Sequence, residues 1–148
     1  MKLIYLLLAV TICSFTACAQ QTKTNQKVKE QNSVTNKIDS KMDLSKLTNE
    51  QVKKAVEAQL NNDKTAWFAL FTEKVKFTDD GNNLEFKSFF ENAFKHNERF
   101  LSIERVENHG KDLYGHFDAG QWGVFNVYFK FHQNAEGKFD RLDIGADK

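Results

Sequence analysis

Thirteen of the fourteen phenylalanines in this 148-residue chain lie beyond residue 67. A buried aromatic ring removes about 150–250 Å² from water. The later part of the chain therefore holds ample material for a hydrophobic core, and the earlier part holds almost none. The length suits one domain with residues to spare. Seven Gly and no Pro exclude collagen-like and Pro-rich disordered classes.

Charge divides along the same line. The formal net charge is +1, but residues 19–54 carry eight Lys against four acids, and residues 55–148 carry twelve basic against sixteen acidic groups. A mildly acidic domain with scattered Lys offers no phosphate-binding stripe. Arg99, Arg105 and Arg141 are the only arginines, too few for bidentate base readout. No nucleic-acid partner is expected.

The first residues read as a targeting segment. Met1-Lys2 gives a positive end, Leu3 to Val10 is nearly all apolar, and Phe15-Thr16-Ala17-Cys18 follows. A positive end, an apolar run and a small residue before the cut describe a signal peptide. The run falls short of the about 20 residues a membrane-spanning helix needs. The two cysteines, Cys13 and Cys18, both lie here. The domain beyond them has none, which excludes a disulfide framework and a thiolate metal site. The tail of the segment resembles a bacterial lipoprotein processing box, with Ala17 as the small residue before Cys18. Phe15 replaces the usual aliphatic residue of that box, and Cys13 fits less well because Ile12 precedes it. The resemblance implies a signal peptide at 1–17, lipidation of Cys18, and membrane attachment through that lipid. The location would be the bacterial cell envelope, on the periplasmic or outer-membrane side. The alternative is an ordinary cleaved signal that releases a soluble protein. Residues 18–47 are rich in Gln, Thr, Asn, Lys and Ser, without Phe, Tyr or Trp, and read as a flexible polar tether.

From residue 48 the patterns change. Thr48 and Gln51 match a capping box, and Val52, Val56 and Leu60 share one face of a helix over 49–61. Asp63 caps a second helix over 64–73, with Trp67, Phe68, Leu70 and Phe71 apolar. Val75–Thr78 alternates like a strand, and residues 79–83 form a turn with too few acids for an EF-hand calcium loop. A third helix over 85–97 carries Phe86, Phe89, Phe90 and Phe94. Strands follow over 100–107, 112–118, 122–132 and 138–144, joined by short turns. Three successive hairpins make an antiparallel meander. Helices first and sheet afterwards is an α+β order.

This order resembles the NTF2-like (cystatin-like) superfamily, which includes nuclear transport factor 2, ketosteroid isomerase and the SnoaL-like proteins. The resemblance spans about residues 49–146. It rests on Trp67-Phe68-Ala69-Leu70-Phe71, on Val75 to Gly81 and the Phe-rich helix after it, and on the closing Glu136 to Ile144. It implies a cone in which N-terminal helices pack on a curved antiparallel sheet around a cavity, over a domain at 48–148. The fold hosts enzymes and non-enzymes alike, so it assigns no reaction.

Two candidate sets follow. Strand period puts Tyr114, His116 and Asp118 on one face, where a His beside a carboxylate could act as a base and Tyr could polarise a carbonyl. Leu113 and Phe117 share the opposite face, which is the alternative cavity side. Trp67, Phe71, Phe90 and Phe94 are the candidate pocket wall, and core packing explains the same four equally well. His96, His109, His116 and His132 are dispersed, and neither a metal-ligand motif nor a phosphate-binding loop is present. No cofactor and no metal are expected. The function expected is non-catalytic binding of a small apolar molecule or an envelope partner. The alternatives are an isomerase-, dehydratase- or cyclase-like enzyme using the His/Asp/Tyr set, and a structural interaction module of the envelope. Trp122, Val124 and Tyr128, opposite the Phe row of the long strand, suggest a homodimer through the sheet.

The processing expectation has a direct test. Intact-mass analysis of the membrane fraction should find a chain that starts at a lipid-modified Cys18. A chain retaining Met1, or an unmodified soluble product, would contradict it.

Overall fold

The computed structural model describes residues 42–148. The expected signal segment 1–17, Cys18 and the tether as far as residue 41 lie outside the described residues. Residues 42–47 already belong to the packed unit. Leu47 is 4% exposed, and Met42 and Leu44 rest against the core.

Helix α1 runs Glu50–Leu60. Its cap is Asn49, not the Thr48 capping box expected. The Asn49 side-chain oxygen accepts from the Gln51 and Val52 amides at 3.0 and 3.1 Å, satisfying two of the otherwise orphaned N–H groups. Val52, Ala55, Val56 and Gln59 form its buried face. Asp63 caps α2, Lys64–Ala69, by accepting from Ala66 N at 2.9 Å. This helix is shorter than the expected 64–73. Phe71 leaves it to open strand β1, Phe71–Asp79, where its backbone pairs with Phe139 of the last strand. Tertiary pairing overrides the local helical pattern there.

Asp79 and Asn82 form the last pair before a two-residue turn, Asp80-Gly81, with φ values of 47° and 82°. Two left-handed central residues make a type I′ turn, which Asp-Gly favours. The turn leads through β2, Asn82–Asn83, to α3, Phe86–Lys95, whose cap Glu85 accepts from the Lys87 and Ser88 amides. Then come β3, Arg99–Glu107, β4, Asp112–Asp118, β5, Val124–Gln133, and β6, Phe139–Ala146. The strand expected from residue 122 begins at Val124, because Gly120–Trp122 forms a 3₁₀ turn.

The six strands lie in the order β2-β1-β6-β5-β4-β3. The meander from β3 to β6 is antiparallel as expected, while β1 adds to β6 in parallel. Alternation turns Phe117, Phe125, Val127, Phe129, Phe131, Leu142 and Ile144 toward the helices. Strand β3 slips register twice against β4, between Phe100 and Ser102 and between Ile103 and Arg105. Such bulges bend and twist a sheet. Gly115 lies opposite this region, and a Cβ there would collide with the Ser102 carbonyl. Glycine is therefore required by close backbone approach.

Trp67 sits at the centre of the core, fully buried. Its ring centroid lies 4.7 Å from Phe90, 5.0 Å from Phe71, 6.1 Å from Phe94 and 6.4 Å from Phe131. One side chain thus joins α2, α3, β1 and β5. Truncating a buried aromatic costs about 3–5 kcal/mol, and a surface change away from special features usually less than about 0.5 kcal/mol. Urea denaturation should therefore show Trp67→Ala destabilised by about 3–5 kcal/mol, with Glu91→Ala, at an exposed position of α3, near wild type.

Candidate functional site

A cavity of about 460 Å³ opens between α3 and the sheet. Each wall follows from a local pattern. Helix α3 turns Phe90 and Ala93 inward, with Phe89 at the edge of the same face. Strands β4 and β5 contribute Phe117, Phe125, Val127 and Phe129, and Trp122 comes from the 3₁₀ turn between them. Strand β6 contributes Ile144 to Ala146. Trp122 is 70% exposed and stands at the mouth beside Phe125.

The ionisable lining groups are Asp79, Asp80 and Glu98. Asp79 ends β1 two residues after buried Phe77, so strand period turns it to the same inner side. Burial pushes its pKa up, and the neighbouring charge of Asp80 pushes the same way. Glu98 joins α3 to β3. Burial raises its pKa as well, with His96 drawing it partly back down and Asp118 adding to the rise. Asp80 is differently placed, since its Oδ1 accepts from Ala146 N at 2.9 Å. Gly145 makes room for this arrangement. A Cβ there would lie 2.5 Å from Asp80 Oδ1 and 2.7 Å from the Tyr128 hydroxyl.

The residues singled out from the sequence divide. Phe90 lines the cavity, whereas Trp67, Phe71 and Phe94 do not. These three belong to the sealed core, and Phe71 also borders a second groove beside Phe68, Phe86 and Leu84. Tyr114, His116 and Asp118 alternate with Phe117, so they occupy the sheet face turned away from the cavity. Each is engaged there. The Arg105 guanidinium lies 3.8 Å from the Tyr114 ring centre. Both Ser102 Oγ and Glu104 Oε1 lie 2.9 Å from His116 Nδ1. Asp118 accepts from Gly120 N at 3.0 Å. Trp122, expected with Val124 and Tyr128 on the outer face, lines the cavity instead.

The outer face carries a second charged cluster. Asp143 accepts from Thr78 Oγ1 at 2.7 Å and from Arg141 Nε at 2.8–2.9 Å, and His132 Nε2 lies 2.8 Å from its Oδ2. Burial works against this carboxylate, but the bonds to Arg141, Thr78 and His132 outweigh it and hold its pKa below the usual value. The cluster ties β1, β5 and β6 together.

Asp79, Glu98, Phe89, Trp122 and Phe125 were not among the expected site residues. The signal for Asp79 was present in the alternation that begins at Phe77. Glu98 lies between elements and has no periodic pattern.

Comparison of the sequence with protein-family models and with curated proteins gives no match. Solved structures do match. An NTF2-like protein of unknown function from Cytophaga hutchinsonii superposes with a TM-score of 0.56 at 16% identity, covering 68% of this chain and 89% of that one. A cystatin-fold protein from Novosphingobium aromaticivorans gives 0.55 at 16% identity, covering 66% and 96%. An Orange Carotenoid Protein of Anabaena, solved binding canthaxanthin, gives 0.51 at 18% identity, covering 70% of this chain and 38% of that one. These identities show the fold. It is the NTF2-like, cystatin-like α+β cone expected from the sequence, with three helices on a curved six-stranded sheet.

The raised pKa values of Asp79 and Glu98 mean that their ionised forms oppose folding at neutral pH. In the folded state these groups hold protons more tightly than in the unfolded chain, so the penalty fades as pH falls through their folded values. Asp79→Asn and Glu98→Gln should each raise the melting temperature at pH 7, by a few degrees, and lose that gain in acid. Thermal denaturation at pH 7 and pH 3 checks this. An equal change at both pH values would contradict it.

Proposed function

We propose that this NTF2-like domain binds a small apolar molecule in the cavity between α3 and the sheet. We further propose that a lipid on Cys18 anchors it in the bacterial cell envelope, on the periplasmic or outer-membrane side. The observation that carries the binding reading is the cavity itself, about 460 Å³ and largely apolar in lining, with six aromatic side chains. That volume lies within the usual range of small-molecule sites. The exposed Trp122 and Phe125 at its mouth supply apolar surface that a ligand would remove from water. A protein that matches this fold over part of its length was solved binding canthaxanthin, which supports an apolar guest. The acid–base alternative draws no support from Tyr114, His116 and Asp118, which do not line the cavity.

A homodimer through the outer sheet face belongs to the same proposal. Val124, 54% exposed, is its apolar contribution, and the charged groups of Arg105, Glu107 and Lys130 lie on the same face.

One preparation of the full chain tests both readings. Light scattering should report two chains per particle, and a monomer mass would remove the dimer. Thermal-shift screening against an apolar library should find stabilising compounds. Trp122→Ala and Phe125→Ala should each weaken their binding about tenfold, the value of a partly buried aromatic contact. Absence of any shift would leave a structural interaction module as the reading.

A further inference from the structure

We infer that the ligand of the α3–sheet cavity is a hydrophobic amine, an apolar body carrying a protonated nitrogen that faces Asp79 and Glu98. This rests on the cavity being a binding site and adds the chemical class of what it takes.

The first argument is the sign of the lining. Asp79, Asp80 and Glu98 face the cavity, and no Lys, Arg or His is among its lining residues. A ligand carboxylate or phosphate entering there would meet only like charge. The second argument is how the protein treats other acids of the sheet and its turns. Asp143 is served by Thr78, Arg141 and His132, Asp118 by the Gly120 amide, and Asp80 by the Ala146 amide. The carboxylates of Asp79 and Glu98, both half-buried, take no hydrogen bond or ion pair among the described residues. A charge withdrawn from water normally has a partner. Here the partner must come from whatever fills the cavity. A guest without a donor would strip water from these carboxylates and return nothing, and a neutral donor such as a hydroxyl would leave their charge unmatched.

The third argument is the wall. Phe89, Phe90, Phe117, Phe129, Phe125 and Trp122 surround the same space. Aromatic faces attract cations, most strongly where water is excluded. An ammonium group would therefore find carboxylates and ring faces in one cavity, while its hydrocarbon body covers the exposed Trp122 and Phe125.

The test uses three compounds with one skeleton and different charge: 4-phenylbutylamine, 4-phenylbutanol and 4-phenylbutyrate. Isothermal titration at pH 7 into the purified full chain should give the amine at least a tenfold lower Kd than either of the others. Raising the salt concentration should erode that advantage, because it is in part electrostatic. The Asp79→Asn/Glu98→Gln double variant, checked for folding by its melting temperature, should lose the preference for the amine over the alcohol. Alcohol or carboxylate binding as tight as the amine would overturn the charge inference and leave the cavity reading intact. So would an amine preference that survives in the double variant. Failure of all three compounds to bind would overturn both.

Discussion

The packing of Trp67 against Phe71, Phe90, Phe94 and Phe131 is the contact on which the domain turns. Helix α2 has six residues, too few to persist alone in water, so its place depends on tertiary packing, in which Trp67 is the fully buried anchor. The same contact fixes α3 against the sheet through Phe90, and α3 is one wall of the cavity. A mutation that loosened Trp67 would thus be felt at the cavity without touching it. Because interiors are close-packed, the core sets how far α3 stands from β5, and with it the width available to a guest.

The sheet makes the complementary contribution. Its two bulges and the close approach at Gly115 bend β3 and β4. The cavity side keeps its Phe residues, while the opposite face carries the Asp143 cluster and the Arg105–Tyr114 contact. The two faces treat acids in opposite ways. Asp143 is surrounded by donors and adds stability at neutral pH, which disappears as pH falls through its lowered pKa. Asp79 and Glu98 lack such partners and subtract stability over the same neutral range. Both of these acids line the cavity between α3 and the sheet.

Much of the architecture was legible in the sequence because it rests on period. The three helices, the meander and the order of helices before sheet followed from the spacing of Val52, Val56, Phe86, Phe90 and the Phe row of β5. The exceptions have tertiary causes. Phe71 continued a helical pattern, but its pairing with Phe139 takes it into β1. The parallel partnership of β1 and β6 leaves no local trace, since α3 and three strands of the meander separate the two strands in sequence. The site was less legible. Aromatic residues at helical spacing mark a buried face, but do not say which rings seal the core and which border an opening. That decision depends on sheet curvature, and so Phe90 reaches the cavity while Trp67 and Phe94 do not. The alternation of Tyr114, His116 and Asp118 correctly grouped them on one face. Which face looked inward was settled by Phe117 and its β5 neighbour Phe125.

The parallel pairing of β1 with β6 also governs when the domain can exist. Its first long strand finds its main neighbour in the last strand, and Phe139, Leu142 and Ile144 complete the core from there. Contacts so distant along the chain form late and slowly. A growing polypeptide with this wiring cannot close its sheet until β6, Phe139–Ala146, has been made.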